Sequence, residues 1–210
     1  MADQRATEKR RRRYDRIAPF YDWMERMNDG RTRLWNEKLW AQVPSANVLE
    51  VGVGTGKSFE YHPKGAHMTG IDFSSRMLER ARQRAAQLGE SIELRQMDAQ
   101  AMEFSDGSFD AAAATCVFCS VPDPVQGFRE VKRVVKPGGR VFLMEHMRHA
   151  NPIVGKLMDV LNPLMRLMGP DINRRTLDNV RAAGLEIEHV EDLGMGGIFK
   201  LIVARVPYQN

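Results

Sequence analysis

Along the first part of the chain, apolar side chains fall at Tyr14, Ile17, Phe20, Tyr21, Met24 and Met27. These steps of three and four share one stripe of a helix. Pro19 predicts a kink or restart there, because it lacks an N–H and its ring clashes with the preceding turn. A second helix carrying Leu34, Trp35, Leu39 and Trp40 is predicted after a break at residues 28–30. From Val48 the pattern changes. Short apolar runs at 48–51, 68–71, 92–96, 109–115 and 140–145 read as strands, with helices near 57–61, 75–88 and 124–135 between some of them. The period is clearest at 75–88, where Leu78, Ala81, Ala85 and Leu88 form one face. Beyond His146 comes a methionine-rich apolar piece, residues 153–168, which Pro152, Pro163 and Pro170 are expected to cut into short helices or turns. A helix at 173–183 follows, then strands at 185–190 and 198–206, which most simply pair antiparallel across the glycine turn at 194–197. Alternating strands and helices predict an α/β fold, an open and mostly parallel sheet with helices on both faces. The 210 residues divide into an amino-terminal helical arm, 1–40, and one domain, 41–210.

Charge adds one fact to this pattern. Residues 1–16 hold seven Arg and Lys against three acids, which accounts for the whole net charge of +4 and leaves the body balanced. A basic arm on a neutral body suits anionic lipid, nucleic acid or simple solubility, and composition does not choose among them. The arm's apolar stripe can pack either on the body or on a membrane. Cys116 and Cys119 lie close together without the further ligands of a zinc site, which argues against a disulfide-stapled or zinc domain and for a reducing, cytoplasmic setting. There is no uncharged apolar run of the length a membrane span needs.

The sharpest chemical signal is Glu50-Val51-Gly52-Val53-Gly54-Thr55-Gly56, where a strand should end and a helix begin. Alternate glycines let the backbone approach a ligand that side chains would exclude. The spacing is GxGxG, neither the dinucleotide fingerprint nor a complete phosphate loop, which favours a nucleoside over a diphosphate. Asp72 ends the second strand, where an acid can accept from ribose hydroxyls, and Asp98 ends the third, where it can accept from an adenine amino group. Glu50 can receive an ammonium or anchor the loop. Singly each acid reads as a turn or cap residue; together, at three successive strand ends, they read as a site.

This set resembles the class I S-adenosylmethionine-dependent methyltransferases. The resemblance implies a Rossmann-like sheet of seven strands with the last antiparallel, no metal, and S-adenosylhomocysteine as product. It also implies cofactor contacts from Glu50, Gly52, Gly54, Gly56, Asp72, Phe73, Asp98, Ala99 and Ser120, and matches Pro137-Gly138-Gly139 to the turn before strand five. The motif from Arg13 to Asp22, the triplet Met144-Glu145-His146 with the apolar segment behind it, and the closing run 198–205 resemble the small bacterial phospholipid N-methyltransferases, which convert phosphatidylethanolamine to phosphatidylcholine. Part of the first motif is shared with quinone C-methyltransferases, so a quinone or other small-molecule acceptor is the alternative. That resemblance implies a phospholipid substrate and peripheral association with an anionic membrane surface at the inner face of the cell membrane. No second basic stripe supports nucleic acid. A monomer is the expectation for oligomeric state.

Only the free base of an ethanolamine attacks a methyl group. His146 is the candidate to remove or relay the amine proton, since imidazole titrates near neutrality; a structural histidine is the competing reading. Tyr14 and Tyr21 are candidates to close over the transfer channel and orient the amine, against simple packing. Arg148, Arg174 and Arg175 are candidates for the lipid phosphate, against a solvated face.

Overall fold

The computed structural model describes the backbone of residues 4–26, 29–168 and 171–208, with side chains at 5–19, 30–166 and 171–208. Helices α1 (Gln4–Arg26) and α2 (Asp29–Trp40) precede the first strand. Strands β1 (Asn47–Val51), β2 (His67–Asp72), β3 (Ile92–Gln96), β4 (Phe109–Thr115), β5 (Val135–His146), β6 (Glu186–Gly194) and β7 (Phe199–Arg205) form one sheet in the order β3-β2-β1-β4-β5-β7-β6. The pairs β1–β2, β1–β4, β2–β3 and β4–β5 are parallel, and β7 runs antiparallel to both β5 and β6. This is the seven-stranded Rossmann-like arrangement expected from the sequence.

Helices α3 (Ser75–Leu88), α4 (Pro124–Val134), α5 (Pro152–Met168) and α6 (Thr176–Ala182) complete the fold. Strand alternation sorts the core into two layers. Leu49, Val51, Ile71, Ala112 and Leu143 pack with Phe128 and Val131 of α4 and Val180 of α6. Val48, Met68, Ala113, Phe142 and Leu201 face the opposite way, onto Leu39 and Trp40 of α2, and Leu78, Ala81 and Ala85 of α3 pack with Val53 and Phe59. Ser74 caps α3 by accepting from the Met77 N–H at 3.1 Å, and Asp123 caps α4 by accepting from Gln126 at 3.0 Å.

Four expectations are corrected. α1 runs unbroken through Pro19, because the Asp15 carbonyl that a residue-19 N–H would have served accepts from Arg76 at 3.3 Å. α5 is one helix through Pro163, whose freed carbonyl belongs to the exposed Asp159 and is open to water. The helix expected at 57–61 is a single 3-10 turn, Phe59–Tyr61. β5 begins at Val135, so Pro137, Gly138 and Gly139 lie within the strand as an irregularity between the Phe109–Val135 and Ala111–Arg140 pairs. The break expected at residues 28–30 falls partly outside the described residues.

Candidate active site

The carboxyl ends of β1, β2, β3 and β4 converge on a cleft, partly open to solvent, whose lining includes Gly52, Gly54, Asp72, Phe73, Asp98, Ala99, Cys116 and Ser120. After β1 the chain turns through Gly52 at φ 71°, held by its N–H to the Ile71 carbonyl at 2.7 Å. A Cβ on Gly52 would stand 2.5 Å from a Val117 methyl, and one on Gly56 equally close to the Phe59 ring. Gly54 differs: at φ 54° a Cβ there would meet nothing within 4 Å, and the residue lines the cleft. Its N–H donates to Asp72 Oδ2 at 3.0 Å, and the Ser74 N–H donates to Oδ1 at 2.8 Å, so the second strand end is tied to the glycine loop.

Glu50 is buried behind the loop. Ser58 Oγ donates to its Oε1 at 2.5 Å, and His62 Nε2 lies 2.9 Å from its Oε2, which makes it the loop's anchor. Asp98 holds its own turn by accepting from the Gln100 N–H at 2.9 Å and also receives Thr7 Oγ at 3.1 Å.

That last bond comes from α1, which lies across the cleft mouth. Thr7, Arg10 and Tyr14 occupy one helix stripe. Tyr14 OH is 2.5 Å from Ser120 Oγ, and its ring meets Phe73 edge-on at 5.5 Å. Arg10 donates to the Ser120 carbonyl at 2.7 Å and to Asp171 Oδ2 at 2.9 Å, while Ser74 Oγ donates to Asp15 at 2.6 Å. Of the arm's stripe, Tyr14 therefore packs on the body. The side chain of Tyr21 lies outside the described residues.

A methyltransferase-domain family model matches residues 49–143. The chain is 45% identical over 101 residues to a phosphatidylethanolamine N-methyltransferase of Cereibacter sphaeroides, a match covering 47% of this chain and 50% of that one. It is 30% identical over 174 residues to a demethylmenaquinone methyltransferase of Clavibacter sepedonicus, covering 80% of this chain and 69% of the relative. The chain belongs to the class I S-adenosylmethionine-dependent methyltransferases. Its fold superposes with TM-score 0.71 on a solved methyltransferase structure from Thermotoga maritima, at 21% identity and over 94% of this chain and 99% of that one. The chain spans about half to two thirds of the length of the curated relatives it matches.

The methyltransferase's cleft suits S-adenosylmethionine on its own geometry. The open space at Gly54 admits a ligand atom where a side chain would stand. Thr115 Oγ1, on the cleft wall, is buried with no hydrogen-bond partner among the described residues, a polar atom left for a ligand. Among those residues no group of three or more His, Cys, Asp or Glu is placed to hold a metal.

Burial raises Asp72 to about 6 despite the two N–H bonds to it. Glu145, on β5 beneath the loop after β4, accepts from the Val117 and Phe118 N–H groups at 2.8 and 2.9 Å, and burial pushes it up to about 7. The Tyr14 hydroxyl and the Cys119 thiol are both pushed up by burial. His146 is held below its ordinary value by burial; its Nε2 lies 3.2 Å from the Asp171 carbonyl, an acceptor, so the proton sits on Nε2 and Nδ1 keeps the lone pair. His146 does not line the donor cleft.

Asp171 was not singled out in the sequence, where nothing but its neighbour Pro170 marks it. Its carboxylate receives Arg10, Arg174 at 2.7 Å, Arg166 at 3.1 Å and Asn162 at 3.0 Å, and its N–H donates to the Cys119 carbonyl at 3.0 Å. Burial alone would raise it, but Arg10, Asn162 and the charge of Arg174 outweigh that and hold it low. Thr7 and Arg10 were hidden inside the arm's charge run, although their spacing to Tyr14 was readable. The three candidate phosphate arginines are not grouped: Arg148 pairs with Asp159 at 2.9 Å, Arg174 with Asp171 and the Val121 carbonyl, and Arg175 is exposed.

Proposed function

We propose that the protein methylates the headgroup nitrogen of phosphatidylethanolamine and its mono- and dimethyl forms, toward phosphatidylcholine, as a peripheral protein on the anionic inner face of the cell membrane. One observation carries the lipid reading: α5 turns an apolar stripe to solvent. Ile153, Leu157, Val160, Leu161 and Leu164 recur at helical spacing, and Ile153, Val160 and Leu164 are 79%, 69% and 62% exposed. A monomer gains nothing from such a contiguous patch unless a partner covers it. Helix α1 brings cations to one end of it: Arg13 donates to the Arg166 carbonyl at the end of α5, and Lys9, Arg12 and Arg16 are exposed on the same helix α1. An apolar helix face beside a cationic one is the combination that inserts at an anionic interface, with about 1 kcal/mol per cation near the surface. No described helix is long and apolar enough to cross a membrane.

S-adenosylmethionine supplies a methyl group bonded to a sulfonium, and its transfer forms a C–N bond, breaks the C–S bond with both electrons going to sulfur, and leaves one proton to be taken from nitrogen. The chain's part is to bind, orient and dehydrate. The glycine loop, Asp72 and Asp98 hold the nucleoside, Tyr14 and Thr7 close α1 over it, and Ser120 orients Tyr14. His146, with Nδ1 unprotonated and its ring outside the donor cleft, takes the amine proton through an intervening water. Arg148 and Arg174 are engaged by carboxylates, and Arg175 is left exposed to solvent.

Mass-resolved methyl transfer on vesicles of phosphatidylethanolamine and anionic lipid tests this: one to three added methyl groups are expected. A quinone acceptor is the second reading, favoured by the longer match to the demethylmenaquinone methyltransferase. Transfer to a demethylated quinone ring with none to the lipid would establish it instead.

A further inference from the structure

The donor cleft shares Gly52, Gly54, Thr115 and Cys116 with a second, larger groove that opens to solvent between α2, α3 and the ends of β4, β5 and β7. A methyl group leaving the donor cleft has to meet its acceptor at such a common wall. The side of the groove built by α2 and β7 is aromatic. Trp35 of α2 and Phe199 of β7 both line it, with ring centroids 5.0 Å apart and planes inclined by 31°, and Met144 lies in the same lining. Gly194 of β6 lies beside the indole, where even a Cβ would make ordinary contact with Trp35 at 3.7 Å. Antiparallel pairing puts Phe199 directly opposite His146, with ring centroids 5.9 Å apart. Arg33, Lys57, Arg80 and Arg84 line the same groove, against the acids Glu50 and Glu60.

We infer that this groove is the acceptor pocket, and that the Trp35–Phe199 pair receives the acceptor as an alkylammonium, its attached phosphate turned toward the basic side of the groove. The inference deepens the lipid reading above and rests on it for the substrate class. Aromatic faces attract a cation through their quadrupole and need no N–H from it. An ethanolamine head loses N–H donors with each methyl added, so a carboxylate cage would favour the first acceptor over the later ones, whereas an aromatic wall holds all of them. His146 does not line the groove but stands one ring behind Phe199, so the amine proton reaches it only through water.

The test uses the full-length protein saturated with S-adenosylhomocysteine, titrated calorimetrically with phosphocholine, with inorganic phosphate and with a soluble hydroquinone. Phosphocholine is expected to bind more tightly than phosphate. Trp35→Leu and Phe199→Leu should each weaken it roughly tenfold, and Trp35→Phe by no more than about twofold, with S-adenosylhomocysteine affinity unchanged. If Trp35→Leu proves unfolded by circular dichroism, Phe199→Leu and Trp35→Phe decide. Phosphocholine binding that is no tighter than phosphate, or unaltered in the leucine variants, overturns the inference, as does a loss confined to hydroquinone. Lipid methylation by the wild type is measured in parallel. A protein that binds phosphocholine through the aromatic pair yet methylates no lipid retires the lipid reading and keeps the pocket. One that methylates lipid with unaltered leucine variants does the reverse.

Discussion

Arg10 fastens α1 across the donor cleft, and its replacement by Gln reports how strongly. Its guanidinium is nearly buried and makes two charged bonds, to the Ser120 carbonyl at 2.7 Å and to Asp171 at 2.9 Å. Removing one member of a buried pair costs about 3–5 kcal/mol when the other is left uncompensated. Asp171 is not left so, because Arg174, Arg166 and Asn162 still serve it. The loss therefore reduces to two charged hydrogen bonds, partly replaced by the glutamine amide, or about 2–3 kcal/mol. That energy belongs to the docking of one helix rather than to the sheet core. Native-state hydrogen exchange should then accelerate roughly 30- to 150-fold across α1 at a tenfold change per 1.4 kcal/mol, with β1 and β4 unchanged. Asp171→Ala should be worse than Arg10→Gln, since it strands Arg10 and the half-buried Arg174 together. Acceleration in α1 below about threefold, or an equal rise in β4, refutes the reasoning, as does an Asp171→Ala variant milder than Arg10→Gln.

Three further outcomes follow from the geometry. Gly52→Ala should destabilise the fold, since its Cβ collides with Val117, whereas Gly54→Ala should lower the melting temperature only slightly, at about 1 kcal/mol for its left-handed backbone, while weakening S-adenosylhomocysteine binding at least tenfold; thermal melts and calorimetry separate the two. Glu145 is raised in the folded state from 4.5 to about 7, so its contribution to stability is complete below about pH 4.5 and is lost as pH climbs through 7. Glu145→Gln should remove that dependence and stabilise the protein by about 2 kcal/mol at pH 8, its carbonyl still accepting from Val117 and Phe118; chemical denaturation at pH 5 and pH 8 checks the sign. Leu157→Ser with Leu164→Ser should leave stability within about 0.5 kcal/mol, both side chains being exposed, but reduce sedimentation with anionic vesicles several-fold.

The donor half of the site was legible because its chemistry is written in local sequence. A strand, a GxGxG turn and an acid at the next strand end are each set within a few residues, and periodicity alone placed α3 and the sheet strands that deliver Asp72 and Asp98. Long-range partners were not legible. Asp171 acts through Arg10, 161 residues away, and nothing near it in sequence announces that. Proline was over-read as a breaker at positions 19 and 163, because the fate of the freed carbonyl depends on tertiary neighbours such as Arg76. Arg148 and Arg174 were read as ligand groups from charge alone, and only the fold reveals the carboxylates they hold.

Strand β7 enters the sheet against the direction of β5, so it is its first residue, Phe199, and not its last, that arrives at the rim where the other strands finish. The tip of the carboxy-terminal hairpin, residues 194–197, is thereby delivered to the same end of the sheet as the glycine loop. A change of length or sequence at that tip would reshape the rim at this end of the sheet without touching the glycine loop or the turns after β2 and β3, far away in the chain.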